Sequence, residues 1–150
     1  MDILKYVRIS DRLGTSGQPG AEQFDAIAAD GFTTVINLAV PDSSNAIADE
    51  GSIVARAGMN YFNIPVIWEA PKVDQFRTFA ALMDGLENQK VWVHCAMNMR
   101  VSCFMYLWHT RLRGMPENEA RSLMLRIWDP DSFPQWKQFV ADVQAQVTCD

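Results

Sequence analysis

Apolar positions in this 150-residue chain change their spacing from one segment to the next, and the changes mark alternating strands and helices. Thr33–Leu38 is rich in β-branched residues and predicts a buried strand. Lys90–Val93 predicts another. Tyr61–Ile67 predicts a third, interrupted by Pro65, and Tyr6–Ile9 a weak one near the start. Gly14–Gly20 reads as a turn-rich loop. The helical segments carry a different spacing. Ala21–Asp30 places Phe24, Ile27 and Ala28 on one face and stops at Gly31. Asn45–Ala57 predicts a helix that ends at Gly58. Lys72–Leu86 repeats Val73, Phe76, Phe79, Ala80 and Met83 at three- and four-residue intervals. From Val101 to about Arg113 the helix is apolar on almost every side, which suits the centre of a fold. Pro116 opens the next helix, and Ser132-x-x-Gln135 resembles a capping box for the last.

This alternation predicts an α/β fold. The chain, residues 1–150, forms a single compact domain with a central, mainly parallel sheet of about four to five strands flanked by helices. Ligands of such sheets bind beyond the carboxyl ends of the strands. A content of 49% hydrophobic and 21% charged residues fits an ordinary globular protein. The formal charge of −5 argues against non-specific binding to nucleic acid or to an anionic membrane. Three cysteines, an odd number, make no disulfide framework and fit a reducing cytoplasm. The opening residues lack the apolar core of a secretory signal, and no apolar run approaches a membrane span.

The chemistry concentrates in Val91-Trp92-Val93-His94-Cys95-Ala96-Met97-Asn98-Met99-Arg100-Val101-Ser102. A strand runs into His-Cys, a turn follows, and the apolar helix begins. Unpaired N–H groups and the positive end of a helix favour both a thiolate and a bound phosphate at such a place. Cys95 is therefore the candidate nucleophile, with His94 beside it. The backbone of Ala96, Met97, Asn98, Met99, Arg100 and Val101 is the candidate cradle for phosphate or sulfate. Arg100 is the only guanidinium in the loop. Ser102 is placed to donate a hydrogen bond to the thiolate. Cys103 reads as core, Cys149 as part of a frayed tail, and His109 as a structural histidine.

These residues resemble the phosphate-binding loop of cysteine-dependent protein phosphatases, His-Cys-x5-Arg-Ser/Thr. The resemblance continues through Thr15-Ser16-Gly17-Gln18-Pro19, Gly31-Phe32, Val35-Ile36-Asn37-Leu38, the acidic helix start Asp49-Glu50, Gly58 and Tyr61-x-x-Ile64-Pro65-Val66. Together they look like the bacterial dual-specificity-phosphatase-like family, which includes a domain found beside some β-lactamase-fold hydrolases. The resemblance implies a cysteine-phosphatase fold, a phosphate-sized pocket, no metal and no cofactor. It implies hydrolysis of phosphotyrosine, phosphoserine or a small phosphate ester through a phosphocysteine, with a phosphorylated protein or small ester as partner. Two positions depart from the pattern. Asn98 takes the place of the loop glycine, and Arg100 comes one residue early, with Val101 where the arginine is expected. One residue near a helix start is about 100° of rotation. Either the loop bends to bring Arg100 back, or turnover is weak.

The family's general acid lies on the loop after the third strand. Here Glu69 is the nearest carboxyl group, with Asp74, Asp129 and Asp131 as other candidates. Asp42-Ser43-Ser44-Asn45 reads as a helix cap that could border the pocket. Two other functions fit the same loop. One is an anion- or phosphoprotein-binding module with little turnover. The other is a rhodanese-like sulfurtransferase, because Cys95-x-x-Asn98-x-Arg100 has the length of a persulfide loop.

Overall fold

The computed structural model describes residues 1–148. Five strands form one sheet: β1 (Val7–Arg8), β2 (Leu13–Ser16), β3 (Thr34–Asn37), β4 (Asn60–Asn63) and β5 (Val91–His94). Their order is β1-β2-β5-β3-β4, and only the β1–β2 pair is antiparallel. The helices are α1 (Gln23–Ala29), α2 (Glu50–Arg56), α3 (Val73–Gly85), α4 (Met99–Leu112), α5 (Glu117–Leu125) and α6 (Pro134–Gln146). This is the expected α/β architecture.

β5 lies at the centre of the sheet, and each of its residues is buried. Successive side chains on a strand point to opposite faces. Val91 and Val93 join the core beneath α3, α4, α5 and α6, whereas Trp92 joins the smaller core beneath α1 and α2. His94 follows Trp92 on the α1–α2 side, its ring 6.1 Å from Phe24. Cys95 follows Val91 and Val93 into the larger core. That core centres on Phe104 of α4, whose ring lies 5.3–5.8 Å from Phe76, Phe79 and Phe139. Truncating so enclosed an aromatic to alanine costs about 3–5 kcal/mol.

Several elements differ from the sequence expectations. Gly14–Ser16 was expected to begin a turn-rich loop and instead belongs to the buried strand Leu13–Ser16 beside β5. Glycine at position 14 has a packing reason, since a Cβ there would stand 2.8 Å from the Trp92 ring. The helix expected from Asn45 begins only at Glu50, after Asp49 with φ 62°. Asp42–Asn45 therefore caps no helix. The capping box at Ser132 and Gln135 does not form. Pro130–Ser132 is a short 3-10 turn whose Asp129 side chain accepts from the Asp131 N–H, and α6 follows Phe133 with Pro134 at its start. α4 starts two residues earlier than expected, at Met99. Cys149 lies outside the described residues. None of the described helices is long and apolar enough to cross a membrane.

Candidate active site

The loop after β5 is braced from three segments. Asn98 has φ 63°, a left-handed conformation that asparagine tolerates better than most residues, and it directly precedes α4. Its Nδ2 donates to the Lys5 carbonyl at 2.8 Å and to Thr15 Oγ1 at 3.2 Å. The Gln18 N–H and Asn45 Nδ2 both donate to the Ala96 carbonyl, each at 3.0 Å. Gly17 pairs with Met97, and a Cβ on Gly17 would stand 2.7 Å from the Ala96 oxygen. The segments expected to be a plain turn and a helix cap thus hold the loop. The first hydrogen bond of α4 runs from the Ser102 N–H to the Asn98 carbonyl at 3.0 Å. The N–H groups of Met99, Arg100 and Val101 therefore have no acceptor within the helix and form its positive end.

Cys95 opens onto a cavity of about 140 Å³ whose wall includes Trp68, Ala96, Met97, Met99 and Arg100. A wider cavity of about 700 Å³ shares Trp68, Ala96 and Arg100 with it and reaches the exposed side chains of Asp42, Ser44 and Glu69. Cys95 is only 1% exposed and its thiol is free. The Trp68 wall is fixed from behind. Its ring packs 5.2–5.4 Å from Trp128, Phe133 and Trp136, and its carbonyl accepts from Trp136 Nε1 at 3.0 Å.

Arg100 and Val101 occupy opposite situations. Arg100 lines both cavities while only 7% exposed. Its Nη1 donates to the Val66 carbonyl at 2.9 Å, and among the described residues no carboxylate pairs with it. Val101 is completely buried in the larger core. The early start of α4 accounts for this arrangement: with Met99 already helical, residue 100 takes the cavity side.

The other candidates separate. Ser102 does not join the cavity lining. Its Oγ donates to the Met99 carbonyl and accepts from Trp128 Nε1, both at 3.0 Å. The side chain of Asn98 turns behind the loop, and His94 is buried beneath it. Of the four candidate acids, Glu69 alone lines the wider cavity. Asp74 is exposed on the first turn of α3, 3.4 Å from Arg77. Asp129 and Asp131 line a separate cavity with Tyr106 and Arg121.

One residue of this site carried no role in the sequence. Glu50 is 5% exposed, and its carboxyl group meets His94 Nε2 at 2.7 Å and Gln18 Nε2 at 2.6 Å. The only sequence signal was an acidic helix start. Its register against β5 appears only when the chain folds.

A family model described as DSP-PTPase phosphatase fused to NAD+ kinase matches residues 8–142. The chain belongs to this phosphatase family. The crystal structure of a DUF442 protein from Shewanella putrefaciens CN-32 superposes with a TM-score of 0.88 at 35% identity, covering 98% of this chain and 95% of that one. TpbA of P. aeruginosa, solved in complex with pTyr, superposes with a TM-score of 0.74 at 16% identity, covering 95% of this chain and 87% of that one, which establishes shared fold. A beta-lactamase hydrolase-like protein of Agrobacterium fabrum is 35% identical over 96 residues, which are 61% of this chain and 22% of that protein. The chain thus matches about a fifth of the length of such relatives.

Proposed function

We propose that this protein hydrolyses phosphate monoesters through a phosphocysteine on Cys95. One observation carries the proposal: a buried guanidinium, Arg100, without a carboxylate partner among the described residues, lines the same cavity as a free thiol at a helix N-terminus. A buried cation is costly unless an anion compensates it. A phosphate held by the loop N–H groups and Arg100 supplies that anion.

The Cys95 thiolate attacks phosphorus, so the S–P bond forms as the P–O bond to the leaving alcohol breaks. Glu69, at the rim, gives its proton to the departing oxygen. Water then attacks the phosphocysteine, passing a proton to Glu69. The S–P bond breaks and inorganic phosphate leaves. Arg100 and the loop N–H groups stabilise the charge on the equatorial oxygens in both steps. Ser102 acts here by fixing the first turn of α4 against Trp128, not through the thiolate.

The aromatic and thioether walls of Trp68, Met97 and Met99 favour an aryl ester, and the pTyr bound to TpbA makes phosphotyrosine the first natural ester to try. The two free thiols among the described residues, Cys95 and Cys103, favour a reducing cytoplasm. Turnover of p-nitrophenyl phosphate and of a phosphotyrosine peptide, with Cys95→Ser as the blank, tests the proposal. Phosphate protection against heat without turnover would make the protein a binding module. Transfer of sulfur from thiosulfate to cyanide would make it a sulfurtransferase, a function to which the family assignment lends no support.

A further inference from the structure

The wider cavity extends past the reacting atoms, and the hydrolysis scheme leaves most of its wall unused. One part of that wall is the segment between β3 and α2, whose conformation is fixed. The Ser43 N–H donates to the Val40 carbonyl at 3.1 Å, and the Ala46 N–H donates to the Ser43 carbonyl at 2.9 Å. Two successive turns thus carry the chain from Val40 to Ala46. Asn45 Nδ2 then ties the segment to the Ala96 carbonyl of the phosphate loop at 3.0 Å. Asp42 sits in the first turn, exposed, and lines the cavity together with the buried Arg100. Another part of the wall is apolar. Ile67 is 49% exposed there, beside Trp68, and a turn from the Ala70 N–H to the Ile67 carbonyl at 3.1 Å holds it in place.

Charge is spread unevenly over this end of the sheet. A third cavity, of about 200 Å³, shares Val40 with the wider one and is lined by Asp49 and Glu50. Burial opposes the charge on Glu50, but its hydrogen bonds with His94, Gln18 and Tyr61 outweigh burial and hold the carboxyl below its usual range. Among the described residues, Arg100 is the one cation that lines any of the three cavities. Asp42 and Asp49 have no cationic partner among the described residues. An entering ester therefore meets one buried guanidinium and an acidic surround. Arg100 and the loop N–H groups match one phosphate. A second anionic group on the same molecule would face carboxylates with no cation to pair it, an arrangement that rejects such ligands. A cationic group would find those carboxylates unpaired.

We propose that Asp42 is a specificity-determining residue, which selects phosphotyrosine peptides that carry lysine or arginine beside the phosphorylated residue. The proposal rests on the phosphatase function above and deepens it. Two separate observations meet in this ligand. Arg100, 7% exposed and without a carboxylate partner among the described residues, calls for the phosphate. Asp42, held at a fixed place by the phosphate loop itself, calls for the neighbouring cation. The tyrosine ring lies against Trp68, and the peptide runs over Ile67 and Val40. Glu69 stays free for the leaving oxygen. Because Asp42 is exposed, its pairing is screened by water and salt, so it discriminates by a few-fold per charge.

Two phosphotyrosine peptides of equal length test this, one with arginine and one with glutamate on both sides of the phosphotyrosine. The unaltered protein should favour the arginine peptide in kcat/KM by roughly tenfold, about threefold from the attraction and a similar factor from the repulsion. The ratio should shrink toward one between about 0.01 M and about 1 M salt. Asp42→Asn should reduce the ratio and Asp42→Lys should invert it, with each variant's rates divided by its own rate on p-nitrophenyl phosphate. Equal kcat/KM for the two peptides, or a ratio that survives Asp42→Lys, would overturn the proposal. So would faster hydrolysis of an inositol polyphosphate than of the arginine peptide. Titration calorimetry of both peptides on Cys95→Ser repeats the comparison without turnover. Tighter binding of the arginine peptide there supports the role of Asp42 even if the unaltered protein hydrolyses no ester, p-nitrophenyl phosphate included, which would instead sink the phosphatase function. Equal affinities, or no binding of either peptide, would overturn the role of Asp42.

Discussion

The start of α4 and its interior each set a cysteine and a basic side chain in nearly the same degree of burial. At its start, Cys95 and Arg100 are 1% and 7% exposed; further along, Cys103 and His109 are 0% and 5% exposed. Their chemistry differs because their surroundings differ. The first pair meets a cavity and a helix N-terminus whose unpaired N–H groups favour a bound anion. The second pair is packed among core side chains. Burial, then the charge of Asp131, pushes the Cys103 thiol far up, and burial, then Arg113, pushes His109 down to about 4. Both groups stay neutral at pH 7. Burial alone therefore marks no site. What distinguishes one is burial beside a charge-favouring backbone and a space that a ligand can fill.

The contrast breaks most directly at the two thiols. Cys95→Ser should lower hydrolysis of p-nitrophenyl phosphate by roughly 10⁴-fold or more, with the circular dichroism spectrum unchanged. Cys103→Ser should leave kcat/KM within about twofold. Equal losses from the two substitutions would erase the distinction between the two thiols.

Next in size is the cation. Arg100→Ala should cost about 10²–10³ in kcat, the usual effect of removing one charge-stabilising contact. Val101→Arg should bring no gain, because Val101 is sealed in the core and a guanidinium there destabilises the fold. Faster turnover by Val101→Arg, with an indifferent Arg100→Ala, would reverse the assignment of which residue faces the phosphate.

The buried histidine sharpens the comparison through pH. Above its ordinary value of 6.5, His109 is neutral in both folded and unfolded chains. As pH falls below 6.5, the unfolded chain takes up a proton that the folded chain refuses until about pH 4. Stability should therefore fall across that window, by up to about 3 kcal/mol. Glu50 acts lower down. Its folded carboxyl is depressed, so its contribution is complete above 4.5 and is lost only as pH drops through the depressed value. Urea titrations at pH 7 and pH 5 should show the fall in the unaltered protein and a weaker one in His109→Gln. Parallel behaviour of the two proteins would remove His109 from the account. The smallest effect is expected from Cys103→Ala, about 1–2 kcal/mol of stability from the vacated core volume, read as a change in urea midpoint with turnover preserved.

Residues whose neighbours lie close in sequence were read correctly. Thr34–Asn37 and Val91–His94 are rich in residues that suit only a buried strand, and the Lys72–Leu86 periodicity placed α3 to within a residue at each end. The strand before the cysteine and the helix after it were likewise visible. The misses depend on partners far along the chain. Gly14-Thr15-Ser16 has the composition of a turn, and becomes a strand by pairing with β5, where glycine leaves room for the Trp92 ring. Asp42–Asn45 has the composition of a cap, yet Asn45 spends its amide on Ala96. Ser102 was placed at the thiol by its position in a motif, and its hydroxyl donates to the Met99 carbonyl instead while accepting from the Trp128 indole. Glu50 was invisible as a site residue, because nothing local marks a carboxylate that will face His94.

The two hydrogen bonds that converge on the Ala96 carbonyl have a thermodynamic consequence. With Asn98 also tied to Lys5 and Thr15, the loop has lost its conformational freedom before any anion arrives. An incoming phosphate then pays little ordering entropy, and its binding energy goes almost wholly into affinity. Association should accordingly show a single concentration-dependent phase without a slower rearrangement behind it. Amide exchange should slow at the N–H groups that face the anion, while the Gln18 amide, already bonded to Ala96, exchanges no differently with phosphate bound.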